Sequence, residues 1–318
     1  MNIFQLKIIA MIAMFLDHIA YFFPDLPMSL PLHWIGRIAA PIFIFGVVNG
    51  VKYTSSKRMY ILRLYLASIV MAVIQMSTQI ELNFFRTLFI VACICEILEI
   101  RKNQKAVSWI KVLSLYIAYQ VIVCIVCGYL SSISNMYTET ICFYLIPALL
   151  GSVFTTEGGL IFVVLGIIMY LAYDNKKRLI LSYMIFVVVY MFFMSTNIVP
   201  IILWKIKELI PIIGTGLSHG MEYLLSIIGG ISPMDVGGNI FTIQYQWIMV
   251  LALPLILSYN HQRGKKCKYL FYIFYPIHII LLWLLSNFVF VYNSGTRNIF
   301  ITLKHPNQKW SDECAFKL

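Results

Sequence analysis

Apolar stretches long enough to cross a lipid bilayer follow one another from Phe4 to Tyr292, separated by short turns rich in Lys and Arg. No other feature restricts the fold so strongly, because a membrane-spanning helix needs roughly 20 mostly apolar residues. Backbone groups in lipid must bond within their own segment, which favours helices over an open sheet. The segments are continuously apolar rather than alternating, which excludes a β-barrel. Hydrophobic residues make up 61% of the 318 and charged residues 12%, about half the charged share of a soluble domain. The expected fold is therefore all-α: a polytopic transmembrane helix bundle of roughly nine or ten membrane helices.

The first spans are expected at about 4–23, 33–51, 60–77, 84–100 and 107–130. The stretch 141–173 is interrupted by Thr155-Thr156-Glu157-Gly158-Gly159, so each half is short for a full crossing. Further spans are expected at about 179–200, 241–259 and 269–292, with a Gly-rich region at 206–238.

Lys and Arg total 24 against 13 Asp and Glu, a net charge of +11. The excess gathers in short loops at 52–58, 101–105, 176–178 and 263–268, the distribution that keeps loops on the cytoplasmic side. It implies a lipid bilayer as partner, and no nucleic-acid motif accompanies it. For the loop at 174–178 to share that side, the 141–173 stretch must cross an odd number of times, as a span plus a re-entrant half would. The apolar run at the N-terminus is broken by Asp17-His18 and has no small-residue cleavage site, so no cleavable signal is expected. Residues 1–292 are read as the membrane bundle and 293–318 as a polar C-terminal tail without a role. The apolar-run cysteines, including the Cys124 and Cys127 pair, are read as packing residues, and no metal site is proposed.

Ionisable groups inside apolar spans are costly and point to function or to pairing. Asp17 and His18 lie in the distal half of the first span. A neutral imidazole can take a proton, and a nearby carboxylate raises its basicity, which suits activation of an amine or hydroxyl. The alternative is a structural ion pair of Asp17 with Arg37, which a tight turn between spans one and two brings to similar depth. Asn49 shares a helix face with Pro41 and Phe45. Arg63 suits phosphate at the cytoplasmic mouth, or equally lipid headgroups. Tyr275 and His278 are three apart on one face of the last span. His278 is open to two readings, a site residue or a hydrogen-bonded packing residue.

Three stretches, LKIIAMIAMFLDH (6–18), GRIAAPIF (36–43) and FYIFYPIH (271–278), together resemble the TraX family, whose namesake is the conjugation protein that N-acetylates pilin. Segments around 60–64, 83–88 and 246–260 share the resemblance, which spans residues 4 to about 285. It implies a bacterial cytoplasmic membrane protein, multi-pass, that moves an acetyl group from acetyl-CoA to an envelope acceptor, protein or glycan. It implies His18 as base with Asp17 beside it, and Arg37, Tyr275 and His278 lining the site, to which Asn49 and Arg63 are added as candidate binding residues. A Tyr-Gly pair of the family stands here as Glu157-Gly158, and the 206–238 region is enlarged. A small-solute or proton-coupled transporter is the alternative, since it too needs intramembrane Asp, His and Arg and a broken helix. A non-catalytic scaffold of an envelope assembly is a third.

Overall fold

A computed structural model describes residues 1–103, 106–135, 138–153, 156–209, 214–229, 232–265 and 267–295. Among them there is no strand. The helices in chain order are α1 (Ile3–Phe22), α2 (Ser29–Gly36), α3 (Ala39–Tyr53), α4 (Lys57–Thr78), α5 (Phe84–Asn103), α6 (Ala106–Ile133) and α7 (Ile146–Leu149). They continue with α8 (Gly159–Ala172), α9 (Lys176–Ser195), α10 (Ile198–Leu209), α11 (Gly214–Gly229), α12 (Ala252–Leu257) and α13 (Lys268–Gly295). A π-helical turn, Ile141–Leu145, leads into α7, and a 3-10 segment, Tyr245–Leu251, leads into α12.

Six of these stretches are long and apolar enough to cross a membrane: α1, the α2–α3 unit, α4, α6 from Trp109, α9 and α13. Two shorter apolar ones, Gly159–Ala172 and Tyr245–Leu257, accompany them. The protein is a polytopic membrane protein. Its outward surface is apolar, with Ile125, Tyr129, Leu181 and Phe288 more than half exposed, as lipid rather than water would have it.

Hydrogen bonds reveal which loops share a face. The Asn260 amide donates to the Met1 carbonyl at 2.9 Å, and the Ile3 amide to Gln262 at 3.0 Å. Lys52 pairs with Asp174 at 2.9 Å, and Lys57 with Glu96 at 3.2 Å. The N-terminus, the 54–56 turn, the end of α5, the 173–175 turn and the 258–265 loop thus form one basic face. Between these fixed points α1, α2–α3, α4, α5, α6, α8, α9, Tyr245–Leu257 and α13 each run from face to face, in line with the expected nine or ten crossings. The odd crossing required of 141–173 is α8. The preceding Ile141–Leu149 segment turns back, with the Gly151 carbonyl accepting from Gln120 Nε2 and the Val153 amide donating to Gln120 Oε1, both at 3.0 Å.

One expected span differs in detail. The helix expected over 33–51 breaks at Arg37 and Ile38. Pro41 explains the position: its ring would clash with the carbonyl four residues earlier, which is that of Arg37. At the C-terminus α13 runs to Gly295, and the rest of the polar tail, 296–318, lies outside the described residues.

Candidate functional site

A cavity of about 630 Å³ is lined at the basic face by Thr54, Ser55 and Ser56, and deeper by residues of α1, α3, α4, α5 and α13. Four cations line it: Lys7, Arg63, Arg263 and Lys265. Phe43, Tyr60, Phe85, Phe271 and Tyr272 form aromatic walls, and Met14, Phe84 and Tyr275 lie at its inner end. Asn49 and Arg63 are both part of this lining. Asn49 Oδ1 accepts from the Tyr173 hydroxyl at 2.6 Å, while the buried Arg63 Nε has no hydrogen-bond partner among the described residues.

Beside Tyr275 lie two buried histidines from the first and last helices. His18 Nδ1 and His278 Nε2 are 2.7 Å apart, with the rings nearly coplanar in direction at 6°. His278 Nδ1 also lies 2.7 Å from the Phe274 carbonyl. A carbonyl only accepts, so Nδ1 of His278 carries a proton. In the neutral ring Nε2 then holds the lone pair, and His18 Nδ1 must be the donor to it. This network assignment leaves His18 Nε2 with its lone pair and no hydrogen-bond partner among the described residues. Phe274 stacks on His278 at 4.7 Å and Phe15 meets it edge-on at 5.9 Å, which fixes the ring. The Tyr275 ring stands 5.9 Å from His18 and 5.6 Å from His278.

Asp17 is turned elsewhere. Its Oδ1 accepts from His33 Nδ1 at 2.8 Å and from Arg37 Nη2. Arg37 also donates from Nη1 to Gln246 Oε1 at 2.9 Å and from Nε to the His33 carbonyl at 3.2 Å, with the Tyr245 ring 5.5 Å from its guanidinium carbon. The sequence placed Asp17 beside His18 but pointing about 100° away from it, with an ion pair to Arg37 as the alternative. At hydrogen-bond range the structure gives Asp17 the Arg37 of that alternative, and His33. Asp17 and Arg37 therefore tie α1 to α2 and to the 245–251 segment, and His278 takes the place beside His18.

Three contributors escaped the sequence reading. Glu157 was read as part of a helix break and as a departure from a family Tyr-Gly pair, with no site role, yet its Oε2 accepts from the Asn83 amide at 2.7 Å and lies 3.3 Å from the Tyr275 hydroxyl. Gly158, at φ +75°, allows the turn that presents it. His33, one helical turn before Arg37, was a visible signal, since an ionisable residue at the end of an apolar span tends to find a partner. Lys7, in the first span, lines the cavity with its ammonium 5.4 Å from the Phe271 ring.

Residues 3–126 match the family described as TraX protein. The match contains Asp17, His18, Arg37, Asn49 and Arg63, while Tyr275, His278 and Glu157 lie beyond it. No curated protein and no solved structure matches the chain significantly.

Proposed function

We propose, from the premise that residues 3–126 are a TraX segment, that this chain is a membrane-embedded acetyltransferase using cytoplasmic acetyl-CoA and an amine or hydroxyl acceptor of the envelope. The observation that carries the reading is a basic-lined cavity that ends at Tyr275, beside a buried histidine whose proton-accepting nitrogen has no hydrogen-bond partner among the described residues. Lys7 and His18 are eleven positions apart on α1, about 16 Å along a helix. An extended acyl-pantetheine arm suits such a distance. Lys7, Arg63, Arg263 and Lys265 would hold its phosphates, the aromatic walls would enclose its chain, and the thioester would lie near Tyr275.

His18 Nε2 would take the proton from the acceptor as its nitrogen or oxygen attacks the acetyl carbonyl. The carbon–sulfur bond then breaks, and the thiolate leaves with the electron pair and can recover the proton from His18. His278 keeps His18 in the required tautomer by accepting from Nδ1, and stabilises the cation that forms, as an orienting partner does for a catalytic histidine. The basic face would be the cytoplasmic face of a bacterial inner membrane. The test is the purified chain in vesicles with labelled acetyl-CoA and mixed amine and hydroxyl acceptors. Transfer that survives in His18→Ala removes the base from this scheme.

A second reading, a small-solute transporter, draws on one observation: Ile141–Leu149 is a re-entrant segment followed by the half-buried Glu157, as in discontinuous transporter helices. Solute uptake by proteoliposomes without any acyl donor would favour it.

A further inference from the structure

Tyr275 joins the cavity to the two histidines. It lines the cavity's inner end, stands edge-on to both histidines, and shares its hydroxyl with α5 and with the turn before α8. The Phe84 amide donates to that hydroxyl at 3.2 Å. One of the oxygen's acceptor sites is thereby filled, so the question is where its own proton points. The only other hydrogen-bond partner among the described residues is Glu157 Oε2, at 3.3 Å.

Two arrangements satisfy this geometry. With Glu157 ionised, the tyrosine donates to the carboxylate, and its proton faces away from the cavity. With Glu157 protonated, the carboxyl donates to the tyrosine oxygen while still accepting from the Asn83 amide at 2.7 Å. The tyrosine proton is then free to turn toward the cavity and a bound carbonyl oxygen. Glu157 has no cation within ion-pair distance among the described residues. Arg37, Arg86, Asp17 and Tyr21 are within electrostatic reach of it, from α1, the α2–α3 break and α5. A half-buried carboxyl with no ion-pair partner among the described residues keeps both protonation states accessible.

We propose that Glu157 is a positioning residue acting through Tyr275, and that Tyr275 is the donor to the carbonyl oxygen that gains charge during acyl transfer. The inference rests on the acetyltransferase reading and names the group that this reading leaves open, the one that stabilises the oxyanion. Raising the pH ionises Glu157, withdraws the tyrosine proton and slows transfer. The rate should therefore fall as the pH rises through the ionisation of Glu157.

The test is CoA thiol release by the full chain in vesicles, from acetyl-CoA with a primary-amine peptide, followed from weakly acid to alkaline pH. Glu157→Gln removes the group that ionises, so the alkaline limb should vanish while KM for acetyl-CoA stays unchanged. In Tyr275→Phe kcat should fall about 10²–10³-fold, the cost of one oxyanion donor. A Glu157→Gln profile that superimposes on that of the active parent overturns the inference. So does a Tyr275→Phe protein with parental kcat, whether or not the Glu157 variant folds. A parent chain that releases no thiol overturns the acetyltransferase reading itself, a separate outcome.

Discussion

His18 and His278 form a chain of donors and acceptors that ends in a lone pair without a hydrogen-bond partner among the described residues. Each step is forced: the Phe274 carbonyl sets the proton of His278, and His278 sets that of His18. An orienting partner of this kind is worth roughly 10–100-fold. His278→Ala should therefore lower kcat by that order in the vesicle assay with KM for acetyl-CoA little changed, whereas His18→Ala should lose about 10²–10⁴-fold, the usual contribution of a general base. Equal losses in both would show that His278 is itself a reacting group. Asp17 was legible as an expensive residue, and its pairing with Arg37 followed from the short connection between their spans. Its hydrogen bond to His33 was not legible, since it depends on how α2 leans on α1. Asp17→Asn should lower thermal stability in detergent more than it lowers kcat, because the carboxylate joins three elements rather than facing the cavity.

At the scale of elements, two backbone features place these groups. Pro41 ends α2 one turn early and leaves Arg37 in the break, free to reach across to Asp17. Gly36 lets α2 lie directly on α1, since a Cβ built there would stand 2.3 Å from the Asp17 Cβ. Gly36→Ala should cost about 1–3 kcal/mol as overpacking, read as a lowered unfolding temperature of the purified protein. An unchanged temperature would mean that α2 can shift away at no cost. The break at 155–159 was equally visible in the sequence, as a Gly pair after a Glu in an apolar run. Its consequence was not, because the turn brings Glu157 to Tyr275 across 118 positions of chain.

Across the whole molecule, the basic loops converge on one face and the catalytic candidates lie between that face and the other. Lys52 and Asp174, 122 positions apart, are held together there. With the native cysteines replaced, Ser55→Cys and Asn175→Cys should react with a membrane-impermeant thiol reagent from the same side of oriented vesicles, and Asn135→Cys from the opposite side. Labelling of Ser55→Cys and Asn175→Cys from opposite sides would remove the single crossing of α8 and the site built around it. The fold class was readable because hydropathy is a local property: each span carries its own length and its own flanking charges. The re-entrant segment followed only from requiring the loop charges to agree.

The sequence by itself determined that the chain spans the membrane as helices, which loops share a face, and which few ionisable groups must find partners in lipid. Those conclusions rest on the free energy of moving each residue from water to hydrocarbon, a sum over local terms. Only the tertiary structure decided the pairings. The first and last helices start from the same face and pack side by side, which puts His278 rather than Asp17 against His18, 260 positions away. The cavity, too, exists only where five helices leave space between them. Helix–helix packing in lipid is fixed by shape and by a handful of hydrogen bonds, and neither has a period or a spacing that a single chain displays.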